Sequence, residues 1–226
     1  GDFSIRKYRS VPVNDKIRAI YCGGGSTTPF VSSHNDPVNI MEYVTIAQTG
    51  NTIDFGDLLL AKNAQTAVNN STRGIIQRSN TPVGPVGVMD TIVMRTLGNA
   101  TDFGDVAHSQ DVMGGACNAT RGIFAGGYLH NVMQYITMAT QGNTTDFGDL
   151  VQRGTNQRQS TSSTRAVFSG FNDYHNPGAG AGYYNFNIMQ YVQIMTTGNA
   201  VDFGDLSYHV GDIGDHQQGS NVHGGI

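Results

Sequence analysis

The triplet Asp102-Phe103-Gly104 and the aspartate pairs near it have the residue types and spacing that suit metal or phosphate chemistry. In protein kinases such a triplet holds Mg²⁺, together with a catalytic loop, a glycine-rich loop and a strand lysine. The sequence contains none of these partners. Pairs such as Asp146 and Asp149 offer carboxylates three positions apart, which suits Ca²⁺. The ordered ligand series of a dedicated calcium loop is missing, so calcium binding stays an alternative, and we predict no metal and no cofactor.

The motif occurs four times, whereas an active site is normally built once. The copies are Asp54-Phe55-Gly56-Asp57, Asp102-Phe103-Gly104-Asp105, Asp146-Phe147-Gly148-Asp149 and Asp202-Phe203-Gly204-Asp205. Each of the first three is followed by an arginine at the sixteenth residue after its last aspartate. The same interval counted back from Arg18 reaches Asp2. We therefore interpret Gly1-Asp2 as the end of a truncated copy and expect the protein to extend beyond these residues.

Two kinds of apolar run recur around the motif. Runs that begin with arginine lie at residues 18–24, 73–78, 121–127 and 165–170. Runs with β-branched and aromatic residues on both faces lie at residues 39–46, 88–94, 131–138 and 187–194. Strands covered on both faces have this second composition. We predict that the second set are inner strands of sheets.

The order of these pieces gives a repeat unit whose length varies at one point only. This variable stretch lies between the arginine and the methionine of the second strand, and it runs from Arg18 to Met41, Arg73 to Met89, Arg121 to Met133 and Arg165 to Met189. Insertions at one point of a constant frame map to loops on one face. We predict one repeat domain over residues 1–226, a fragment of the protein, with units approximately at 1–57, 58–105, 106–149, 150–205 and 206–226 (partial).

Repeat units of this kind, each about 50 residues long, suit four-stranded blades of a β-propeller. The 30 glycines and the absence of long charged or leucine-rich runs favour short strands and turns. The predicted fold is therefore all-β, with a repeat architecture of β-propeller blades. A trimeric β-rich fibre, in which units pack on symmetry mates, is the alternative.

The recurring motif is best interpreted as a folding device. Gly98 and Asn99 suit turn positions with positive φ, Phe103 is expected to fill the space between neighbouring units, and Gly104 allows a close backbone bend. The recurring arginines suit a structural hydrogen bond to a carboxylate, most obviously one of the motif. Four arginines around a channel that binds an anion are the alternative. These arginines are Arg18, Arg73, Arg121 and Arg165.

The longest variable segment, residues 171–186, interleaves aromatic and polar side chains that can stack on sugar rings or bury against another subunit. The candidate binding residues are Phe171, Asn172, Asp173, Tyr174, His175, Tyr183, Tyr184 and Phe186. Phe30 and His34 in the first variable segment form a smaller candidate.

Composition excludes several other functions. The net charge is −4 and no basic face is evident, so we predict no nucleic-acid partner. No apolar run approaches the length of a membrane-spanning helix, so no membrane insertion is expected. No nucleophile and base stand in a recognisable order, and we predict that the protein is not an enzyme.

The order of arginine strand, Gly-Gly, variable loop, tyrosine strand, turn and aromatic resembles kelch-type β-propellers. Kelch repeats usually have tryptophan at that last position, where this chain, which lacks tryptophan, has phenylalanine. The runs "NVMQYITMATQGNTTDFGDL" and "STRGIFAGG" resemble repeat-containing structural proteins of tailed bacteriophages, especially marine ones.

The phage resemblance implies a non-enzymatic tail, fibre or adsorption protein located in the virion. It implies oligomer or virion partners and, for the loops, a host-surface polysaccharide. A secreted or cellular kelch-like propeller that binds protein or carbohydrate, and a glycan-processing propeller enzyme, are the alternatives.

Overall fold

The computed structural model describes residues 1–26, 36–62, 66–77, 87–108, 113–128, 130–155, 157–170, 172–173, 184–207 and 219–220. Over these ranges the chain is all-β, which confirms the predicted fold class at that level. Within the same ranges there is no helix long and apolar enough to cross a membrane.

Four main sheets follow one another along the chain. The first contains β1 (Lys7–Tyr8), β2 (Val11–Asn14), β3 (Arg18–Cys22), β4 (Gly25–Ser26), β5 (Asp36–Thr45) and β6 (Ile53–Lys62). The second contains β7 (Thr66–Asn69), β8 (Arg73–Gln77), β9 (Val88–Val93) and β10 (Thr101–Asp105).

The remaining strands continue the same order. The third sheet contains β11 (Gly114–Cys117), β12 (Arg121–Ala125), β13 (Val132–Thr137) and β14 (Thr145–Asp149). The fourth contains β15 (Arg158–Thr161), β16 (Arg165–Ser169), β19 (Ile188–Gln193), β20 (Val201–Asp205) and β21 (Gly219–Ser220). A small ladder joins β17 (Asn172–Asp173) to β18 (Tyr184–Asn185).

The apolar strands β5, β9, β13 and β19 are inner strands, as their composition predicts. Each pairs antiparallel with the arginine-led strand on one side and with the strand of the DFGD motif on the other. In the second sheet, for example, the order is β10-β9-β8-β7. Burial on both faces explains why these runs do not alternate between apolar and polar residues.

The DFGD motif forms the strand that flanks the inner strand of each sheet, in β6, β10, β14 and β20. In β10, Asp102 lies opposite Asp90 and Gly104 opposite Met89, so Phe103 is the extra residue of a β-bulge. The other three copies have the same register shift. A bulge bends the edge strand and increases its twist. The bend allows the strand to lie against a turn of a neighbouring sheet.

A recurring side-chain oxygen closes the hairpin before each arginine. The Asp15 carboxylate accepts the backbone N–H groups of Ile17 and Arg18 at 2.6 and 2.7 Å. Asn70, Asn118 and Ser162 make the same contacts at the equivalent positions. Such short polar side chains favour turns because they bond to the backbone two or three residues later.

The chain divides into two compact units. Unit 1 comprises Gly1–Ser109 with Gln141–Asn143, and unit 2 comprises Gln110–Thr140 with Thr144–Ile226. In unit 1, β2 contacts β7 and β8, and a buried cluster that includes Ile20, Phe55 and Ile92 joins its two sheets. In unit 2, β11 contacts β15 and β16, with a corresponding cluster around Phe147 and Phe168.

Candidate functional site

The DFGD strand of one repeat binds the Gly-Asn turn of the next repeat, and we call this contact a joint. In the joint between the first two repeats, Gly98 donates its N–H to the Phe55 carbonyl at 2.8 Å. The Asn99 side-chain oxygen accepts the N–H of Asp57 at 3.0 Å. Ala100 then donates to the Asp57 carbonyl at 2.8 Å. These three hydrogen bonds fix the edge strand and the turn in one register.

The same contacts recur at the other joints. Gly142 and Gly198 donate to the carbonyls of Phe103 and Phe147 at 2.8 and 2.7 Å. Asn143 and Asn199 accept the amides of Asp105 and Asp149 at 2.9 and 3.0 Å. At the start of the chain, Asn51 accepts the Asp2 amide at 3.0 Å and Thr52 donates to the Asp2 carbonyl at 3.1 Å. Gly1-Asp2 therefore makes the contacts of a DFGD strand end.

Close backbone approach explains the glycine of the motif. Gly104 has φ +138°, and a Cβ placed on it would collide with the backbone of Gly142. Any side chain at Gly104 would therefore strain the strand and separate it from the turn. The expected positive φ at Asn99 is wrong, since the only non-glycine residue with positive φ in the described ranges is Arg9. The asparagine serves through its side-chain oxygen instead.

The phenylalanine of the motif fills the core beside each joint. Phe55, Phe103 and Phe147 are each 2% exposed. Phe55 and Phe147 meet a tyrosine of their own inner strand edge-to-face, with ring centroids 6.1 Å apart in both cases. Phe203 has the same tyrosine neighbour at 5.8 Å but is 47% exposed.

The arginines stack on aromatic rings of their own sheet. The guanidinium carbons of Arg18, Arg121 and Arg165 lie 4.7, 4.2 and 4.5 Å from the centroids of the inner-strand tyrosines. Those tyrosines are Tyr43, Tyr135 and Tyr191. Arg73 faces Phe103 at 5.9 Å, because its inner strand has Thr91 where the others have tyrosine. Such contacts orient a cation through the electron-rich ring face.

The arginines also reach the following repeat through a carbonyl. Arg18 donates to the Met94 carbonyl at 3.4 Å, and Arg121 donates to the Ile194 carbonyl at 3.0 Å. The expected carboxylate partner is wrong for Arg18, Arg121 and Arg165, because none of them lies within ion-pair distance of a DFGD aspartate over the described ranges. A carbonyl and a ring accept the cation without placing a second charge in the core.

A buried polar residue on each inner strand was missed by the sequence analysis. It precedes the central tyrosine or threonine and is Glu42, Asp90, Gln134 or Gln190, each at most 2% exposed. Glu42, Asp90 and Gln190 accept the backbone N–H groups of Ser4, Leu59 and Val151. Those donors lie two residues after the preceding Gly-Asp pair. The detectable signal was a polar residue at one fixed place in four otherwise apolar runs.

Two of these residues are acids with a buried lysine partner. The Lys7 ammonium lies 2.6 Å from the Glu42 carboxylate, and the Lys62 ammonium lies 2.6 Å from the Asp90 carboxylate. Burial alone raises the pKa of Glu42, but hydrogen bonds from Lys7 and Ser4 outweigh it, so its pKa is below the usual value. Both lysines stand five residues after the aspartate of a Gly-Asp pair.

Asp15 is the other buried acid with several donors. Burial raises the pKa of Asp15. The amides of Arg18 and Ile17 and the guanidinium of Arg95 together lower it by more, so the pKa lies below its usual value. Arg95 belongs to the second repeat, and its Nε donates to Asp15 of the first. The pair therefore adds a charged contact to the first joint.

Most of the candidate binding residues fall where the structure gives little or no description. The backbone pairs Asn172 with Asn185 and Asp173 with Tyr184, and Phe186 is half-buried. Six further candidates lie outside the described residues, and these are Phe30, His34, Phe171, Tyr174, His175 and Tyr183. Binding by this segment therefore stays a prediction.

The arrangement assigns most recurring polar groups to structural contacts. Within the described ranges, no group of three or more His, Cys, Asp or Glu side chains is placed to hold a metal ion. A scan against family models and a search of curated proteins both find no match for this chain.

Proposed function

We propose that the chain is a non-enzymatic structural and recognition module of a phage particle, built from kelch-like β-propeller blades. The observation that supports this proposal is the joint, because it gives the recurring motif a structural role and leaves the variable segments for binding. The first three motif strands hydrogen-bond to the turn of the next repeat, Arg18 and Arg121 donate to carbonyls of the next repeat, and the buried residues Glu42, Asp90 and Gln190 hold the backbone that follows a Gly-Asp pair. Repeat proteins whose units contact only their neighbours use such contacts for stability and keep variable loops for binding.

The variable segments have the placement that a display role needs. Each one joins an arginine strand to the antiparallel inner strand beside it. The arginine strand therefore ends, and the inner strand begins, at the end of the sheet opposite the Gly-Asn turn. The fourth segment, between Arg165 and Met189, is the longest. Its aromatic and amide side chains suit stacking on sugar rings of a host-surface polysaccharide, or burial against a neighbouring virion protein.

The third repeat supplies a loop exchange that tests this role. Replacing residues 171–186 by Gly-Tyr-Leu-His, the sequence of residues 127–130, gives the fourth repeat the length of the third. We expect the exchanged protein to keep its melting temperature and to lose binding to an array of bacterial surface polysaccharides. Ile46→Ala removes an exposed apolar side chain outside the variable segments and should leave binding unchanged.

Three results would count against the proposal. Equal polysaccharide binding by the exchanged and unaltered proteins would remove the loop from recognition, unless the loop is buried against another protein in the particle. Absence of the protein from purified particles, measured by mass spectrometry, would remove the virion role. Release of reducing ends from a bound polysaccharide would favour a glycan-processing enzyme.

A further inference from the structure

Among the residues that the structure describes, the last DFGD strand, β20, lacks the cover that the equivalent strands have. Phe203 is 47% exposed, whereas the other three motif phenylalanines are 2% exposed. A Cβ on Gly148 would collide with the turn at Gly198, whereas no atom of the described ranges lies within 4 Å of a Cβ on Gly204. An uncovered edge strand with an exposed aromatic is a surface that favours pairing with further polypeptide.

In other respects the fourth sheet, which contains β20, has the same arrangement as the first three sheets. β20 pairs with β19 in the same bulged register, and Tyr191 meets Phe203 at 5.8 Å and 76°. Arg165 stacks on Tyr191 as its equivalents do. Among the described residues, however, Arg165 has no carbonyl acceptor like those of Arg18 and Arg121. The strand, the aromatic ring and the arginine thus have the usual arrangement, and within the described part of the chain they make no contact with a following repeat.

The Gly-Asn turns of this chain are already in use. Asn51 accepts the amide of Asp2, and Asn99, Asn143 and Asn199 accept those of the first three motifs. The described residues thus contain four turns but five strand ends, and the end at Asp205 is left over. A second copy of the chain would have to open one of its own joints to supply a turn.

We propose that β20 binds the Gly-Asn turn of a further repeat of the same kind, which is none of the four repeats described. The carbonyls of Phe203 and Asp205 accept two amides of that turn, and the Asp205 amide donates to its asparagine. Arg165 donates to a carbonyl at the end of the new inner strand. The turn must carry glycine, because the backbones approach as closely as they do at Gly104. This inference rests on the joints and is independent of a role in a phage.

A tryptophan reporter tests the proposal, because the chain has no tryptophan of its own. Phe203→Trp reports on the uncovered strand, and Phe147→Trp is the matched control in a complete joint. Each is made in the unaltered chain and in a chain with a second copy of residues 150–205 inserted directly after Asp205. Tryptophan emission, acrylamide quenching and circular dichroism are measured.

We expect Phe203→Trp in the unaltered chain to emit at longer wavelength than Phe147→Trp and to be quenched more strongly. In the extended chain it should match Phe147→Trp, while the control stays unchanged. Changing the asparagine of the added turn to alanine should reverse part of the shift, since that side chain accepts the Asp205 amide.

Several outcomes would overturn the proposal. If the extended chain gains β-sheet signal in circular dichroism but the Phe203→Trp emission spectrum does not change, the added repeat has folded without binding β20. An added repeat that gains no sheet signal also counts against it, because β20 then fails to support the fold of a neighbour. A short emission wavelength in the unaltered chain at every concentration means that the chain covers the strand itself. A shift that grows with protein concentration identifies a second copy as the occupant.

Discussion

Removing one member of the Lys62–Asp90 pair should destabilise unit 1 strongly, whereas removing both charges should not. The two charged groups lie 2.6 Å apart and both side chains are fully buried. Asp90 also accepts the backbone N–H of Leu59 at 3.2 Å. Lys62→Met leaves the carboxylate without its cation, and Asp90→Asn leaves the ammonium without its anion.

The expected magnitude follows from this burial. A buried charge whose partner has been removed costs about 3–5 kcal/mol, whereas replacing the whole pair by neutral groups is often neutral or stabilising. The same chain contains the neutral solution, since Gln134 and Gln190 occupy the position of Asp90. In the double variant Lys62→Met/Asp90→Asn, the amide oxygen can still accept the Leu59 N–H. We therefore expect a coupling energy on the order of 3 kcal/mol from the double-mutant cycle.

Urea unfolding of the four proteins, followed by circular dichroism and tyrosine fluorescence, measures the free energies. Lys16→Met is the control, because Lys16 is exposed and its loss should change stability by less than about 0.5 kcal/mol. Additive losses in the double variant would refute the reasoning, since they would mean that the two charges do not compensate each other. Single variants as stable as the control would show that the pair is accessible to water.

Two further predictions concern the joint and the hairpin turn. Phe103→Ala should lower the free energy of unfolding by about 3–5 kcal/mol because the ring is buried, and Phe203→Ala should lower it by less than half as much; equal losses would contradict the burial argument. Because the pKa values of Asp15 and Glu42 are lowered in the folded state, the stability that they supply is complete above their unfolded pKa values of about 4 and is lost as pH falls through the folded values. The melting temperature measured from pH 7 to pH 2.5 should fall in acid, and Asp15→Asn, which copies Asn70, should flatten that fall; an unchanged profile would remove Asp15 from the acid response.

The sequence predicted the strands well, because their cause is local. The runs around Tyr43, Tyr135 and Tyr191 have the composition of strands buried on both faces, and they are inner strands. The edge strand was harder to recognise. Asp102-Phe103-Gly104-Asp105 contains glycine and two aspartates, which are typical of turns, yet a bulge and the contacts of the next repeat hold it as a strand.

The side-chain partners were predicted less well, because they depend on the neighbouring repeat. The arginine positions were evident from the constant interval, but the acceptors, such as the Ile194 carbonyl for Arg121, are distant in sequence. An arginine near recurring aspartates suggests an ion pair, and only the geometry shows that a tyrosine ring is closer. The role of Asn99 was misjudged for the same reason, since its acceptor oxygen serves Asp57 of another sheet.

The buried polar position of the inner strand is occupied by an acid in two repeats and by glutamine in two others, although the backbone around it has the same geometry. The backbone N–H groups of Ser4, Leu59 and Val151, each two residues after a Gly-Asp pair, donate to a buried side chain of the inner strand, and a buried polar side chain must be paired. A carboxylate such as Asp90 accepts that bond only if a lysine compensates its charge, whereas an amide such as Gln190 accepts it alone. The two lysines occur where the acceptor is an acid, and Gly154 takes the equivalent place before Gln190. Charge in this core is thus a consequence of satisfying the backbone, and we infer that recognition belongs to the segments where length varies.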